Sequence, residues 1–435
     1  MAEVAVRPAD AFEALAATEL TAATKGIPAH AAPIALGEVG RQGWNLLRGD
    51  LPLPVAVLRQ SALEHNSRWM RDFLSANGAA FAPHGKTTMA PQLFRRQIED
   101  GAWAITVATV QQLAVCRRFG FDRLLLANEP VGRAELDYLF GELARSPGLD
   151  IYALVDGLDG ITRIAEAGRR AGNAGRLQLL LEVGIPGRRT GCRDVEAALA
   201  VARAARREGL SLRGVEGFEG VVEETGEVDT FLGLMCEAAE AIEREKLFAA
   251  GPVLLSAGGT AFYDRVVERL GGCRLGREVK IVTRSGCYLT HDSLRYERHY
   301  REIRARSGHR PGFLPEGDPL PALMIWTHVQ SRPEPRRAVL AMGRRDVSHD
   351  SDLPVPLLWY RPGLHEMPAA IGPGHAAASL FDQHCCLDLP AESPLVVGDL
   401  VAFGISHPCT TFDKWQVLYV IDESYRVVDA VKTFF

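Results

Sequence analysis

Between about residue 50 and residue 300, short apolar runs alternate with longer amphipathic stretches rich in alanine and arginine. That alternation predicts strands followed by helices, the βαβα order of a parallel sheet closed or covered by helices. The runs lie at residues 55–58, 105–107, 123–127, 152–155, 177–181, 253–256 and 280–283, with two more near Ala80 and Val215. These nine candidates are one more than an eight-stranded barrel needs, so one belongs elsewhere. Chemically distinctive residues stand just after the runs: His84 and Lys86, Asn128, Asp156, residues 182–189, Glu219, residues 256–260 and residues 284–288. In a parallel barrel the C-terminal ends of the strands share one face, which would gather all of them at a single mouth. Polar residues also cap strands in any α/β protein, so no single one of them is diagnostic.

After about residue 305 the texture changes. Prolines stand at 311, 315, 319, 321, 333, 335, 354 and 356, helical periodicity fades, and short β-like runs remain at 323–329, 400–403 and 417–421. A separate all-β domain fits this better than more barrel. The expected division is an N-terminal arm over 1–50, a barrel over 51–305 and a β-rich domain over 306–435. The arm is alanine-heavy and reads as a loosely attached helical segment.

A chain of 435 residues is too long for one ordinary compact domain, and its 47% hydrophobic and 24% charged residues are those of a globular protein. With 49 basic against 54 acidic residues and no basic block, nucleic acid is a poor partner. The first 25 residues lack a basic start followed by an apolar core, and no apolar run approaches the roughly 18 residues of a membrane helix. Eight scattered cysteines without a Cys-x-x-Cys spacing predict a cytoplasmic protein with mostly free thiols, and argue against a structural zinc cluster.

Lysine is scarce, with only Lys25, Lys86, Lys246, Lys280, Lys414 and Lys432. Lys86 follows a strand candidate within residues 81–88, where a desolvated amine near other cations would form a Schiff base with an aldehyde; the alternative is a surface lysine. The turn at residues 254–260, Leu-Leu-Ser-Ala-Gly-Gly-Thr, offers bare amides and a hydroxyl to a phosphate, although tight turns also use Gly-Gly. Near the C-terminus, His407 and Cys409 are two residues apart; in extended chain they face the same way and would present a nitrogen and a thiolate to one ion, zinc by preference. Two protein ligands leave positions for substrate and water, although a lone His-x-Cys is nonspecific.

Taken together these segments resemble the D-serine dehydratase and D-threonine aldolase family over roughly residues 50–430. The strongest stretch is Pro83-His84-Gly85-Lys86-Thr87, then Gly101-Ala102, Thr106-Val107-Ala108-Thr109 and Leu125-Leu126-Ala127-Asn128-Glu129-Pro130-Val131-Gly132. The resemblance implies a fold type III enzyme, with a TIM-type (β/α)8 barrel of the alanine-racemase kind and a C-terminal β domain. It implies pyridoxal phosphate as cofactor, Lys86 as the Schiff-base lysine with His84 beside it, and Arg189 near the cofactor ring. Ser256, Gly258, Gly259 and Thr260, with Ser285, Gly286 and Tyr288, correspond to the phosphate-holding segments. His407 and Cys409 match the metal pair of the dehydratase branch, with zinc the expected divalent ion. Residues 341–350 and 382–384 look like family landmarks, and the resemblance implies a homodimer. Two departures stand out: the segment 182–191 is longer than the family's usual turn, and Cys385 replaces a glycine that often follows the histidine.

The expected function is dehydration and deamination of D-serine or a related 3-hydroxy-D-amino acid to a keto acid and ammonia. Lys86 would act as general base and the metal as Lewis acid at the β-hydroxyl. An aldolase of the D-threonine type is the alternative within the same chemistry, and a racemase has no evident use for a metal. From another class, a non-catalytic pyridoxal-phosphate carrier has no need of the β domain or the metal pair.

Overall fold

The structure, a computed structural model, describes residues 8–435, so residues 1–7 of the expected arm lie outside the described residues. Eight short strands form one sheet: β1 (Ala80–Phe81), β2 (Ile105–Val107), β3 (Arg123–Leu126), β4 (Asp150–Val155), β5 (Gln178–Val183), β6 (Ser211–Gly217), β7 (Val253–Ala257) and β8 (Val279–Thr283). All neighbours are parallel, in the order β1-β8-β7-β6-β5-β4-β3-β2. The seam between β1 and β2 closes just past the end of β1. There His84 bridges Thr106, and the Thr106 N–H donates to the Pro83 carbonyl at 3.0 Å. The sheet is therefore curled into the expected barrel.

Side-chain alternation explains why these runs form a barrel. Ala82, Ala104, Leu125, Tyr152, Leu154, Leu180, Leu254 and Val282 form one buried cluster inside it. Their neighbours Leu124, Leu126, Ile151, Ala153, Leu179 and Leu181 are buried in a second cluster under the helices. Each covering helix turns an apolar stripe inward: Leu158–Ala171 buries Ile161, Ile164, Ala165 and Gly168, spaced three and four apart.

The ninth run, expected among the barrel strands, belongs to a different sheet. Val55–Arg59 pairs antiparallel with Leu323–Glu334, in register from Leu323 against Leu58 to Trp326 against Val55, and parallel with Val417–Ile421. Residues 55–58 are buried on both faces in this sheet, and a doubly buried run reads the same from sequence in either sheet. The rest of the second sheet is antiparallel, with Leu323–Glu334 also pairing Leu400–Gly404 and Arg337–Leu340.

The described part of the arm is docked, not loose. After one helix, Pro8–Ala16, it lies along this sheet: Lys25 pairs with buried Asp346 at 2.7 Å and sits 3.7 Å over the Trp415 ring, and the Tyr419 hydroxyl donates to the Gly26 carbonyl at 2.8 Å. Of the eight cysteines, Cys236 and Cys273 form a disulfide and six are free. Among the described residues no helix is long and apolar enough to cross a membrane.

Candidate active site

Beyond β1 the chain runs through Ala82, Pro83 and His84 into a single turn of 3-10 helix, Gly85–Thr87. Gly85 and Thr87 are buried, whereas Lys86 is exposed, so the amine is open to an incoming aldehyde instead of desolvated as expected. Burial pushes the His84 imidazole well below its ordinary pKa, and the Lys86, Arg284 and Arg189 cations add to this. The ring is thus neutral, and its buried Nδ1 has no partner.

Past β8 a second turn meets the first. Arg284 is buried and bonded to the Glu216 carboxylate, with a second bond to the Gly217 carbonyl at 2.9 Å; burial draws its pKa down to about 10. The Ser285 hydroxyl donates to the Gly259 carbonyl at 2.8 Å. A Cβ at Gly286 would stand 2.4 Å from Thr87 Oγ1 and 2.7 Å from the His84 carbonyl oxygen, so only glycine lets the two turns touch. Cys287 follows, its Sγ 3.9 Å from Thr87 Oγ1.

The remaining residues expected around a phosphate divide. Ser256 spends its hydroxyl inside the sheet, on the Val282 carbonyl at 3.0 Å. Tyr288 is buried against Phe81, ring centroids 4.8 Å apart, with its phenol toward Gln97; it belongs to the core and not to the mouth. Gly258, at φ +104, lets the Gly258 and Gly259 amides turn onto one acceptor, but not the phosphate expected of them. That acceptor is the chain's own: the buried Glu219 carboxylate accepts them at 2.9 and 2.7 Å. Thr260 stays available, lining a cavity of about 460 Å³ with Gly259, Phe218, Arg295, Tyr296 and His299. The amides of Thr260, Ser285 and Gly286 find no acceptor among the described residues. Arg189 is exposed, its guanidinium 5.4 Å over the Phe218 ring, on a loop held where the Gly191 N–H donates to Asp156 at 2.8 Å and Thr190 to Glu182 at 2.9 Å.

His407 and Cys409, the expected metal pair, are brought together by a turn, not by extended chain. Pro408 has helical dihedrals, φ −56 and ψ −43, and Cys409 opens the one-turn helix Cys409–Phe412. His407 Nδ1 lies 2.6 Å from Asp350, which fixes the ring and leaves the other ring nitrogen for Cys409. Cys409 raises the His407 pKa to about 9, while bonding from Cys287 and then from His407 holds the Cys409 thiol well below its ordinary value. Cys409 Sγ is 3.4 Å from Thr87 Oγ1 and 3.7 Å from Cys287 Sγ. Among the described residues no three His, Cys, Asp or Glu side chains form a ready metal array.

An open lysine amine, a neutral imidazole with an orphaned nitrogen and free amides suit a phosphorylated aldehyde such as pyridoxal phosphate, whereas the cavity beside Thr260 has neither Lys86 nor His84 in its lining. A thiolate beside an imidazole suits a soft divalent ion. Three neighbours in this arrangement were not read from the sequence. Thr87 adjoins Lys86 and Asp350 ends the landmark 341–350, so both were within sight; Tyr296, whose phenol bears on Cys287, carries no local signal.

Comparison with known proteins agrees with this architecture. Residues 58–276 match the model of the alanine racemase N-terminal domain, and residues 322–421 that of a serine dehydratase domain. The chain is 27% identical over 316 residues to a 3-hydroxy-D-aspartate aldolase of Paracoccus denitrificans, covering 70% of this chain and 75% of that one. It is 25% identical over 249 residues to the D-threo-3-hydroxyaspartate dehydratase of a Delftia species, covering 51% and 64%. The crystal structure of D-threonine aldolase from Filomicrobium marinum superposes with a TM-score of 0.72 at 22% identity, covering 90% of this chain and 96% of that one, which shows the fold. A D-threo-3-hydroxyaspartate dehydratase has also been solved with a histidine and a cysteine, two positions apart, replaced in turn by alanine, the cysteine variant in a metal-free form.

Proposed function

The chain belongs to the family of the alanine racemase N-terminal domain, and on that premise we propose that it is a pyridoxal-phosphate- and metal-dependent lyase that dehydrates and deaminates a 3-hydroxy-D-amino acid such as D-serine. The observation that carries this reading is Thr87. It follows Lys86 in the chain and stands 3.4 Å from Cys409, which supports reading Lys86 and the His407–Cys409 pair as parts of one site.

Lys86 would hold the cofactor through its amine, with Thr260, Ser285 and Gly286 offering amides to the phosphate and Arg189 a charge near the ring. When bound, pyridoxal phosphate supplies a conjugated ring that takes up the electron pair of the bond broken at Cα. Lys86 Nζ would also serve as the base that moves the Cα proton. His84, kept neutral by burial, adds no positive charge beside that proton transfer. His407 Nε2 and Cys409 Sγ would hold one divalent ion, zinc by donor type, which supplies Lewis acidity at the β-hydroxyl. Asp350 orients His407 for this.

A second reading, cleavage of the Cα–Cβ bond, is favoured by the names of the relatives, which include aldolases as well as a dehydratase. Product analysis with D-serine, D-threonine and 3-hydroxy-D-aspartate separates the two. A keto acid with ammonia is the expected outcome, glycine with an aldehyde would establish the aldolase, and no turnover of any of them with both cofactors present would overturn the lyase reading.

A further inference from the structure

We propose that Cys287 is a third protein ligand to the ion, so that one imidazole and two thiolates hold it and a single position stays open for the substrate hydroxyl. This rests on the metal reading above and goes beyond the two-ligand pair.

The argument begins with distance. Cys287 Sγ and Cys409 Sγ are 3.7 Å apart. A disulfide requires about 2.05 Å, so they are not bonded. Two sulfurs each about 2.3 Å from one zinc, at the tetrahedral angle, stand about 3.8 Å apart. The observed separation, which in this structure is a thiol–thiol hydrogen bond, equals the edge that two thiolates on one zinc would span.

Surroundings point the same way. A buried cysteine that only fills space behaves as a small hydrophobe and has apolar neighbours. Cys287 is 3% exposed, yet it faces Thr87 Oγ1 at 3.9 Å, the Tyr296 phenol and the Cys409 sulfur. Hydroxyls beside a sulfur fit a thiolate ligand, whose negative charge accepts their protons.

Cys409 is hydrogen-bonded to both Cys287 and His407, although among the described residues the three do not yet form an array that could hold an ion. Binding would need the His407 and Cys287 side chains to close around Cys409, and the Cys287 thiol would give up its proton to solvent as its sulfur bonds the ion. The donors come from two parts of the molecule. Cys287 comes from the turn after β8 and Cys409 from the region of the second sheet, so the ion ties barrel to β domain at the mouth. A second thiolate also fixes the preference: zinc or cobalt over magnesium or manganese.

Full-length wild type, Cys287→Ser and Cys287→Thr would be stripped with chelator, checked for folding by circular dichroism, and reloaded with cobalt(II) or zinc. Wild type is expected to bind one cobalt with the sulfur-to-metal charge-transfer absorption of two thiolates. Each variant should lose about half of that absorption and bind zinc at least about tenfold more weakly in competition with a chromogenic chelator. Unchanged absorption and affinity in a folded variant would overturn the assignment. So would single-thiolate absorption in wild type, which settles the matter even if neither variant folds. Wild type that binds no ion at all defeats the metal reading itself, a result distinct from a one-thiolate site.

Discussion

Two glycine-bearing turns stand side by side at the barrel mouth, after β7 and β8, and they have opposite fates. At 258–259 the amides turn inward onto Glu219, so the chain satisfies its own anion site. At 284–286 the backbone is pressed against the turn carrying Lys86, and the next residue sends its sulfur toward Cys409. Glycine marks where the backbone must come close to something; the third element decides what that is. The Gly-Gly after a strand reads as a phosphate cradle, and its two amides go instead to a carboxylate of the chain itself.

The contrast can be broken or sharpened by substitution. The largest effect belongs to the turn that the second glycine supports: Lys86→Ala should lower kcat by about a thousandfold or more and abolish labelling by borohydride in peptide maps. Label on another lysine would move the chemistry away from this turn. Gly286→Ala comes next, because Thr87 and the His84 backbone must both shift; a loss of about 1–3 kcal/mol in denaturant unfolding is expected, with weaker cofactor binding. Stability and cofactor affinity equal to wild type would mean that the two turns do not depend on their contact. The smallest effect is assigned to Glu219→Gln, which should leave the dissociation constant for pyridoxal phosphate within about twofold, as for independent sites. A tenfold tighter complex would show instead that the phosphate and Glu219 compete for the same amides, and the two turns would then share one ligand.

Much of the barrel was legible, because parallel strands buried on both faces leave apolar runs of characteristic spacing and the candidate site residues follow their ends. What sequence could not supply was partnership. Val55–Arg59 has the composition of a barrel strand, yet it pairs with residue 323 and beyond, and nothing local distinguishes the two sheets. Ser256 and Tyr288 sit in motifs of the right kind, but a motif does not say where a side chain points. One hydroxyl closes a sheet bond and the other ring joins the core. The approach of Cys287 to Cys409 was hidden for the same reason: each was visible, and only the closed fold brings the two sulfurs together.

The strand Val55–Arg59 carries a consequence for biogenesis. It is made early, and Leu58 finds its partner only when Leu323 has been synthesised. Throughout that interval an apolar edge is left waiting while the barrel downstream of it forms, a situation that favours association with other nascent chains. Any fragment ending before residue 323 keeps that edge permanently open. Such fragments should need a chaperone to stay dispersed even when all eight barrel strands are present.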